Sequence, residues 1–220
     1  MIKIEKTEVY GWEPAIRGMR NAMNSWDKSD SDWEFVEDPS IINPNDEVIF
    51  VLGPNDADLA HRLSIAGPSH AKFRRMIKVF VDITAPLYWW KEYDTYKVGT
   101  TANSCSTMHK IHAKEFTLSD FSWDRMSGNA INVLEAVIDE LNYNRAMFIE
   151  TKDKAYWHNM IQLLPTSYEQ LRTLELNYEV LANIYHTRLN HKLNEWRAVC
   201  RWIENLPYSW IITGKEPNNG

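Results

Sequence analysis

From Asn129 to Glu150 apolar residues recur at Ile131, Leu134, Val137, Ile138 and Leu141, the three-and-four spacing of one helical face. A stripe of that length commits the chain to a helix-rich fold. Around it, Ile2 to Val9 alternates as a strand would. Glu13 to Trp26 reads as a helix, with Pro14 in its first turn and Ile16, Met19, Ala22 and Met23 as its apolar positions. Asp27 to Asn45 is acidic and rich in Ser and Pro, the composition of a loop. Val48 to Leu52 is a short strand, Asn55 to Ala66 a helix closed by Gly67-Pro68, and Met76 to Thr84 a strand. Ala85-Pro86 opens a segment that puts Trp89, Trp90 and Tyr93 on one helical face. Lys154 to Leu164 and Ser167 to Trp202 continue the helical pattern, with Pro165 as the break and Thr166 or Ser167 as the N-cap of the second. The strands are not arranged as repeated βαβ units, and neither an internal repeat nor a linker interrupts the chain. These features predict one α+β domain.

The 220 residues are 44% hydrophobic and 25% charged, ordinary for a globular domain. A net charge of −6 argues against a general grip on nucleic acid, which needs clustered cations. No apolar run approaches membrane-spanning length, and MIKIEKTEVY lacks the apolar core of a secretion signal. Cys105 and Cys200 are too few for a disulfide framework, so the cytoplasm is the expected compartment. The 10 Trp and 10 Tyr suit either a stacking pocket or interface, or a core.

The segment from Tyr96 to His109, YKVGTTANSCSTMH, has neither helical nor strand periodicity and follows the aromatic block Tyr88-Trp89-Trp90. Its hydroxyl and amide groups suit either a polar lining that grips a ligand or a Ser/Thr turn that caps its own backbone. No phosphate-cradling glycine loop and no Gly-x-Ser-x-Gly elbow occurs. His109, His112, Cys105, His186 and His191 match no compact zinc spacing, so no metal is expected. Cys105 lies four residues before His109, but a packed thiol is the expectation. Arg188 ends the helical stretch Asn177–Arg188, whose apolar stripe is Leu181, Ile184 and Tyr185. It could clamp a phosphate or pyrimidine carbonyl, or pair with Glu195 or solvent on the helix surface.

These residues resemble the flavin-dependent thymidylate synthases. That family carries RHRxxSxNExSxRY after an aromatic helix that often begins Ala-Pro. Ala85-Pro86-Leu87-Tyr88-Trp89-Trp90 resembles the lead-in, and YKVGTTANSCSTMH aligns to the pattern with Thr101 at the first Ser, Asn103 at the Asn and Ser106 at the second Ser. In the second block the family runs from Leu-Pro through a helix to an Asn, a nucleotide-binding Arg and a Gln-Trp-Glu-Ile stretch. Here stand Leu164-Pro165, Asn177 twelve positions on, Leu181, Asn183, Arg188 and Glu195-Trp196-Arg197. The Arg-His-Arg trio is replaced by Tyr96, Lys97 and Val98, the Glu by Ser104, the Arg by Met108 and the Tyr by His109. Lys97 is the nearby cation left, and a lysine does not reproduce a guanidinium fork. Lys91, Arg74 and Arg75 are further candidates for the missing charge.

The resemblance implies a single domain over residues 1–220 of the flavin-dependent thymidylate synthase type, helix-rich with a small, mostly antiparallel sheet. It implies a homotetramer with active sites at subunit interfaces, binding neither nucleic acid nor membrane. The implied reaction is reductive methylation of dUMP to dTMP, with the carbon from methylenetetrahydrofolate and the hydride from FAD reduced by NADPH. Arg188, Ser106 and Lys97 would bind dUMP, and Thr101, Asn103, Asn177 and Asn183 the FAD. No covalent nucleophile is required in that scheme. The altered trio also leaves open a homologue that keeps the scaffold as a non-catalytic pyrimidine nucleotide-binding or assembly module.

Overall fold

In the computed structural model, residues 2–35 and 48–216 are described. The chain runs through β1 (Lys3–Tyr10), α1 (Trp12–Arg20), β2 (Asp32–Phe35), β3 (Val48–Val51), α2 (Pro54–Ile65), β4 (Lys78–Pro86) and α3 (Leu87–Tyr93). It continues through β5 (Thr101–Ser104), α4 (Gly128–Thr151), α5 (Lys154–Leu163), β6 (Glu169–Asn177), α6 (Tyr178–Arg188), α7 (Asn194–Glu204) and α8 (Trp210–Thr213). The four-stranded sheet has the order β1-β4-β6-β5, and β2 pairs antiparallel with β3. The fold is α+β, helix-rich with a small antiparallel sheet. None of the described helices is long and apolar enough to cross a membrane.

Four expectations need correction. The helix expected over 167–202 is a strand, β6, followed by two helices. Gln170, Leu174 and Leu176 are buried at even positions, so the segment obeys a period of two, although Glu, Gln, Leu and Arg favour helices. The helix expected over 13–26 ends at Arg20, tightens to a 3-10 turn over Asn21–Met23, and stops where Asn24 takes a left-handed conformation (φ 47°). The segment 96–109 contains strand β5 over Thr101–Ser104. Asp32–Phe35, expected in a loop, forms β2, with Trp33 opposite Phe50; residues 36–45 of that predicted loop lie outside the described residues.

Two units interleave along the sequence. The first comprises Met1–Glu5, Asp82–Thr95 and Ala102–Thr173. Its core sets Leu134, Ile138 and Leu141 of α4 and Met160 of α5 against Ile111, Phe116 and Phe121. Ser127 caps α4 by accepting from the Ala130 amide, and Asp153 caps α5 by accepting from the Ala155 amide. Trp89, Trp90 and Tyr93 are buried along α3 as the sequence predicts.

The second unit comprises Lys6–Val81, Tyr96–Thr101 and Leu174–Gly220. Trp12, Ala15, Ile16 and Met19 form the buried face of α1. Gly11, which precedes that helix, has φ 92°, and a Cβ there would sit 2.2 Å from the Met76 carbonyl oxygen. Only glycine fits both the backbone and the space. Arg20 turns inward at the helix end: its Nε donates to Asp56 Oδ1 at 2.7 Å and its guanidinium to the Lys28 carbonyl at 3.1 Å. Asp56 also accepts from the Ser29 and Ser31 hydroxyls and from the Asp30 and Ser31 amides.

Candidate functional site

Helix α6 builds the site. Leu181, Ala182, Ile184 and Tyr185 anchor one face in the core, while Glu179, Asn183 and His186 repeat at helical spacing on another. Asn177 fixes the start of the helix, its side-chain oxygen accepting from the Val180 amide at 3.0 Å. The Asn177 side chain also donates through Nδ2 to the Gly99 carbonyl at 3.3 Å. Gly99 has φ 78°, and an added Cβ would lie 3.1 Å from Asn177 Nδ2, so the missing side chain permits the close approach.

These groups open on a cavity of about 870 Å3 in the second unit. Val98 and Gly99 line it from the first sequence block, and Asn177 and Asn183 from the second. Arg74 and Arg75, from a 3-10 turn over Lys72–Arg75, form another wall with Ser64 of α2. Arg74 is buried, and its guanidinium donates to the Ser64 carbonyl at 2.9 Å. Its Nη1 stands 3.6 Å from a Glu179 carboxylate oxygen, an ion-pair distance too long for a hydrogen bond. Burial lowers the Arg74 pKa from its ordinary value, and the Glu179 charge opposes that shift. Arg74 Nε, Ser64 Oγ and Glu179 Oε2 are buried with no hydrogen-bond partner.

Arg188, at the other end of α6, stands apart from this lining. Its Nε donates to the Tyr96 hydroxyl at 2.9 Å. Its guanidinium lies 4.7 Å from the Trp196 ring centroid and 5.6 Å from that of Tyr96. An arginine held against two aromatic faces loses much of its rotamer freedom before any ligand arrives.

The remaining predicted site residues fall as follows. Lys97 is exposed. The Thr101 hydroxyl donates to Glu175 at 3.3 Å, and that carboxylate is also paired with Lys78 at 2.7 Å. The Lys78 hydrogen bond is the main reason the Glu175 pKa lies below its ordinary value. Asn103 and Ser106 belong to the first unit and are exposed. Ser106 Oγ accepts from the Met108 and His109 amides at 3.2 and 2.8 Å, so that hydroxyl caps its own turn. Cys105, expected to be packed, is exposed, because it follows the end of β5 rather than entering a core. Cys200 is the buried thiol, and burial pushes its pKa up to about 11. Trp89 and Trp90 both belong to the core of the first unit.

Sequence reasoning missed Ser64, Glu179 and His186. The polar stripe Glu179–Asn183–His186, spaced four and three, is a signal by which the last two could have been found.

No family model matches the sequence, and no curated protein matches it. The fold does have solved neighbours. One is thymidylate synthase X from Helicobacter pylori with FAD and dUMP, at TM-score 0.67 and 14% identity, covering 97% of this chain and 98% of that one. Another structure, a flavin-dependent thymidylate synthase from Helicobacter pylori complexed with FAD and dUMP, gives TM-score 0.66 and 14% identity over 96% of this chain and 98% of that chain. At this identity the likeness is one of fold.

Proposed function

We propose that the chain is a divergent flavin-dependent thymidylate synthase, a single domain that converts dUMP to dTMP as a homotetramer with active sites between subunits. One observation carries this reading: two sequence blocks are tied together twice across 78 and 92 residues, by Asn177 to Gly99 and by Arg188 to Tyr96. Residues from both blocks border one cavity of a size suited to a nucleotide cofactor.

The cavity's chemistry fits FAD. Asn177 and Asn183 offer amides, Arg74 and Arg75 offer charge for a diphosphate, and the absent Cβ of Gly99 leaves room for close approach. When bound, FAD reduced by NADPH supplies the hydride, and methylenetetrahydrofolate supplies the carbon. The chain's own residues bind and orient. We assign Arg188, Lys97 and Ser106 to dUMP, with Thr101, Asn103, Asn177 and Asn183 toward the flavin. Tyr96 and Trp196 hold the Arg188 guanidinium in one orientation, which lowers the entropy lost when it meets a pyrimidine nucleotide. Catalysis on this reading is placement rather than covalent attack.

The altered trio favours a second reading, a non-catalytic pyrimidine nucleotide-binding or assembly module. Tyr96 stands at a trio position and spends its hydroxyl on Arg188, while Val98 is 91% exposed and carries no charge.

Purification and assay separate the two. The enzyme is expected to take up FAD with a visible flavin band and to form dTMP from dUMP, folate donor and NADPH. A protein that binds neither FAD nor dUMP in calorimetry would falsify both readings; binding without turnover selects the module. Arg188→Ala is expected to weaken dUMP binding by about 1.5–3 kcal/mol, the cost of losing a charge-assisted hydrogen bond. An unchanged dissociation constant removes Arg188 from the site.

A further inference from the structure

Helix α8 is anchored by packing, whereas the chain after it is held by one side chain and two backbone amides. Ile211 and Ile212 are fully buried, and the Ser209 hydroxyl before them donates to the Glu204 carbonyl at 2.8 Å. Beyond them Gly214, Lys215 and Glu216 are exposed. The Gly214 amide donates to the Trp210 carbonyl at 2.9 Å and the Lys215 amide to the Thr213 hydroxyl at 3.3 Å. The Lys215 ammonium donates to Glu204 Oε1 at 2.7 Å, and the Tyr185 hydroxyl donates to the same oxygen at 2.7 Å. The ammonium also lies 5.9 Å from the Tyr185 ring centroid. The Lys215 hydrogen bond is the main reason the Glu204 pKa lies below its ordinary value, and Glu204 is the main reason that of Lys215 lies above.

Two cavities share this stretch of chain. Thr213 and Gly214 line the cavity of about 870 Å3 that α6 opens on, and Thr213, Lys215 and Glu216 line a second, of about 360 Å3, with Tyr208 and Trp210. Tyr185, which helps to hold Lys215, lies on α6 between Asn183 and His186, residues that face the first cavity. We propose that Gly214–Glu216 is a strap between the two cavities, latched by Lys215 on Glu204 and Tyr185 and released when salt screens that contact. Latched, Gly214 is part of the first cavity's wall. Released, the segment swings out beyond Gly214 and the first cavity opens toward the second.

Little opposes the swing. Gly214 turns the chain with φ 70°, and no atom lies within 4 Å of where its Cβ would stand, so there is room around the turn. A rotation just after Gly214 keeps its amide bonded to Trp210 and breaks, besides the latch, the long Lys215 amide contact to Thr213. The latch itself has the strength of a switch rather than of a weld. The Lys215 and Glu204 side chains are 61% and 34% exposed, and an exposed ion pair shifts an equilibrium by about fivefold at most. Ionic strength therefore moves the balance, because the screening length falls from about 30 Å at 0.01 M salt to about 3 Å at 1 M. Nothing in the strap depends on which ligand the first cavity holds, so the inference stands apart from the function proposed above.

The test reads the intact protein at low salt (about 0.01 M) and at high salt (about 1 M) in two ways. Hydrogen exchange of the backbone amide at position 215 is followed by mass spectrometry with fragmentation. Alkylation by iodoacetamide is followed at Thr213→Cys in a chain that also carries Cys105→Ser. Without further substitution both rates are expected to rise about two- to fivefold with salt. Glu204→Gln and Lys215→Gln are expected to be fast already at low salt and to lose the salt response. Glu204→Lys combined with Lys215→Glu exchanges the two charges, and the slow rates and the salt response are expected to return, a rescue that a merely structural role would not produce. Amides of α4 are expected to exchange alike in every protein. Rates that ignore salt and substitution, a double variant as fast as the singles, or α4 amides that quicken with the strap each overturn the proposal. Neither readout uses a cofactor, so a chain that takes up no FAD sinks the proposed function while these rates still decide the strap.

Discussion

Asp56→Ala is expected to destabilise the protein by about 3–5 kcal/mol in urea unfolding, a large share of the total stability of an ordinary domain. The carboxylate is fully buried, and its removal leaves the Arg20 guanidinium, with a side chain 6% exposed, without its counter-charge. The Ser29 and Ser31 hydroxyls and two backbone amides lose their acceptor at the same time. Breaking one half of such a pair costs more than replacing both, so Arg20→Met/Asp56→Leu is expected to lose less than the single variant. The network also sets an acid limit. Burial alone would raise the Asp56 pKa, but the hydrogen bonds from Ser31, Ser29, Arg20 and the Asp30 amide outweigh burial and hold it below its ordinary value of 3.8. A carboxyl depressed in the folded state stabilises above its unfolded pKa, and that contribution is lost as pH falls through the folded one. Unfolding free energy should therefore drop below about pH 4 in the parent and show a shallower drop there in Asp56→Ala. A single variant that loses under about 1 kcal/mol would contradict the role given to the pair.

Trp90→Ala should be comparably damaging, at about 3–5 kcal/mol. The indole is 1% exposed, its Nε1 donates to the Gln170 carbonyl at 2.9 Å, and the Arg172 guanidinium lies 4.2 Å from its ring centroid. The rings of Trp89 and Tyr93 stand 4.7 and 5.2 Å away, edge to face. Truncation opens a cavity, removes a cation–π contact and orphans a carbonyl of β6. Trp90→Phe keeps most of the apolar volume but not the donor, and should cost about 1–3 kcal/mol. Equal losses for Ala and Phe would mean that the hydrogen bond, and not the packing, carries the effect.

What could be read from the chain depended on whether the deciding contacts were local. Helix α4 announces itself because Leu134, Ile138 and Leu141 repeat along one face and need no distant partner to define it. Strand β6 does not. Gln170 and Arg172 look like helix formers, and they are tolerated in a strand only because Gln170 donates to the Cys105 carbonyl and Arg172 pairs with Asp94. Those partners lie 65 and 78 residues away. The site divides in the same way. Asn183 and Arg188 share α6 and Asn177 caps it, so their spacing could be read directly. Arg74 and Arg75 were visible as charge, but that they border the same cavity is a fact of tertiary structure. Ser106 is assigned by alignment alone: its Oγ accepts from the Met108 and His109 amides, which leaves the hydroxyl proton to donate to a ligand.

Asn177 has one side chain and two obligations: its oxygen secures the first turn of α6, and its nitrogen tethers the strand of chain carrying Gly99. Moving that chain to admit a guest therefore tugs on a helix terminus, and fraying that terminus releases the chain. A displacement of Gly99 and a displacement of the first turn of α6 each strain the same carboxamide.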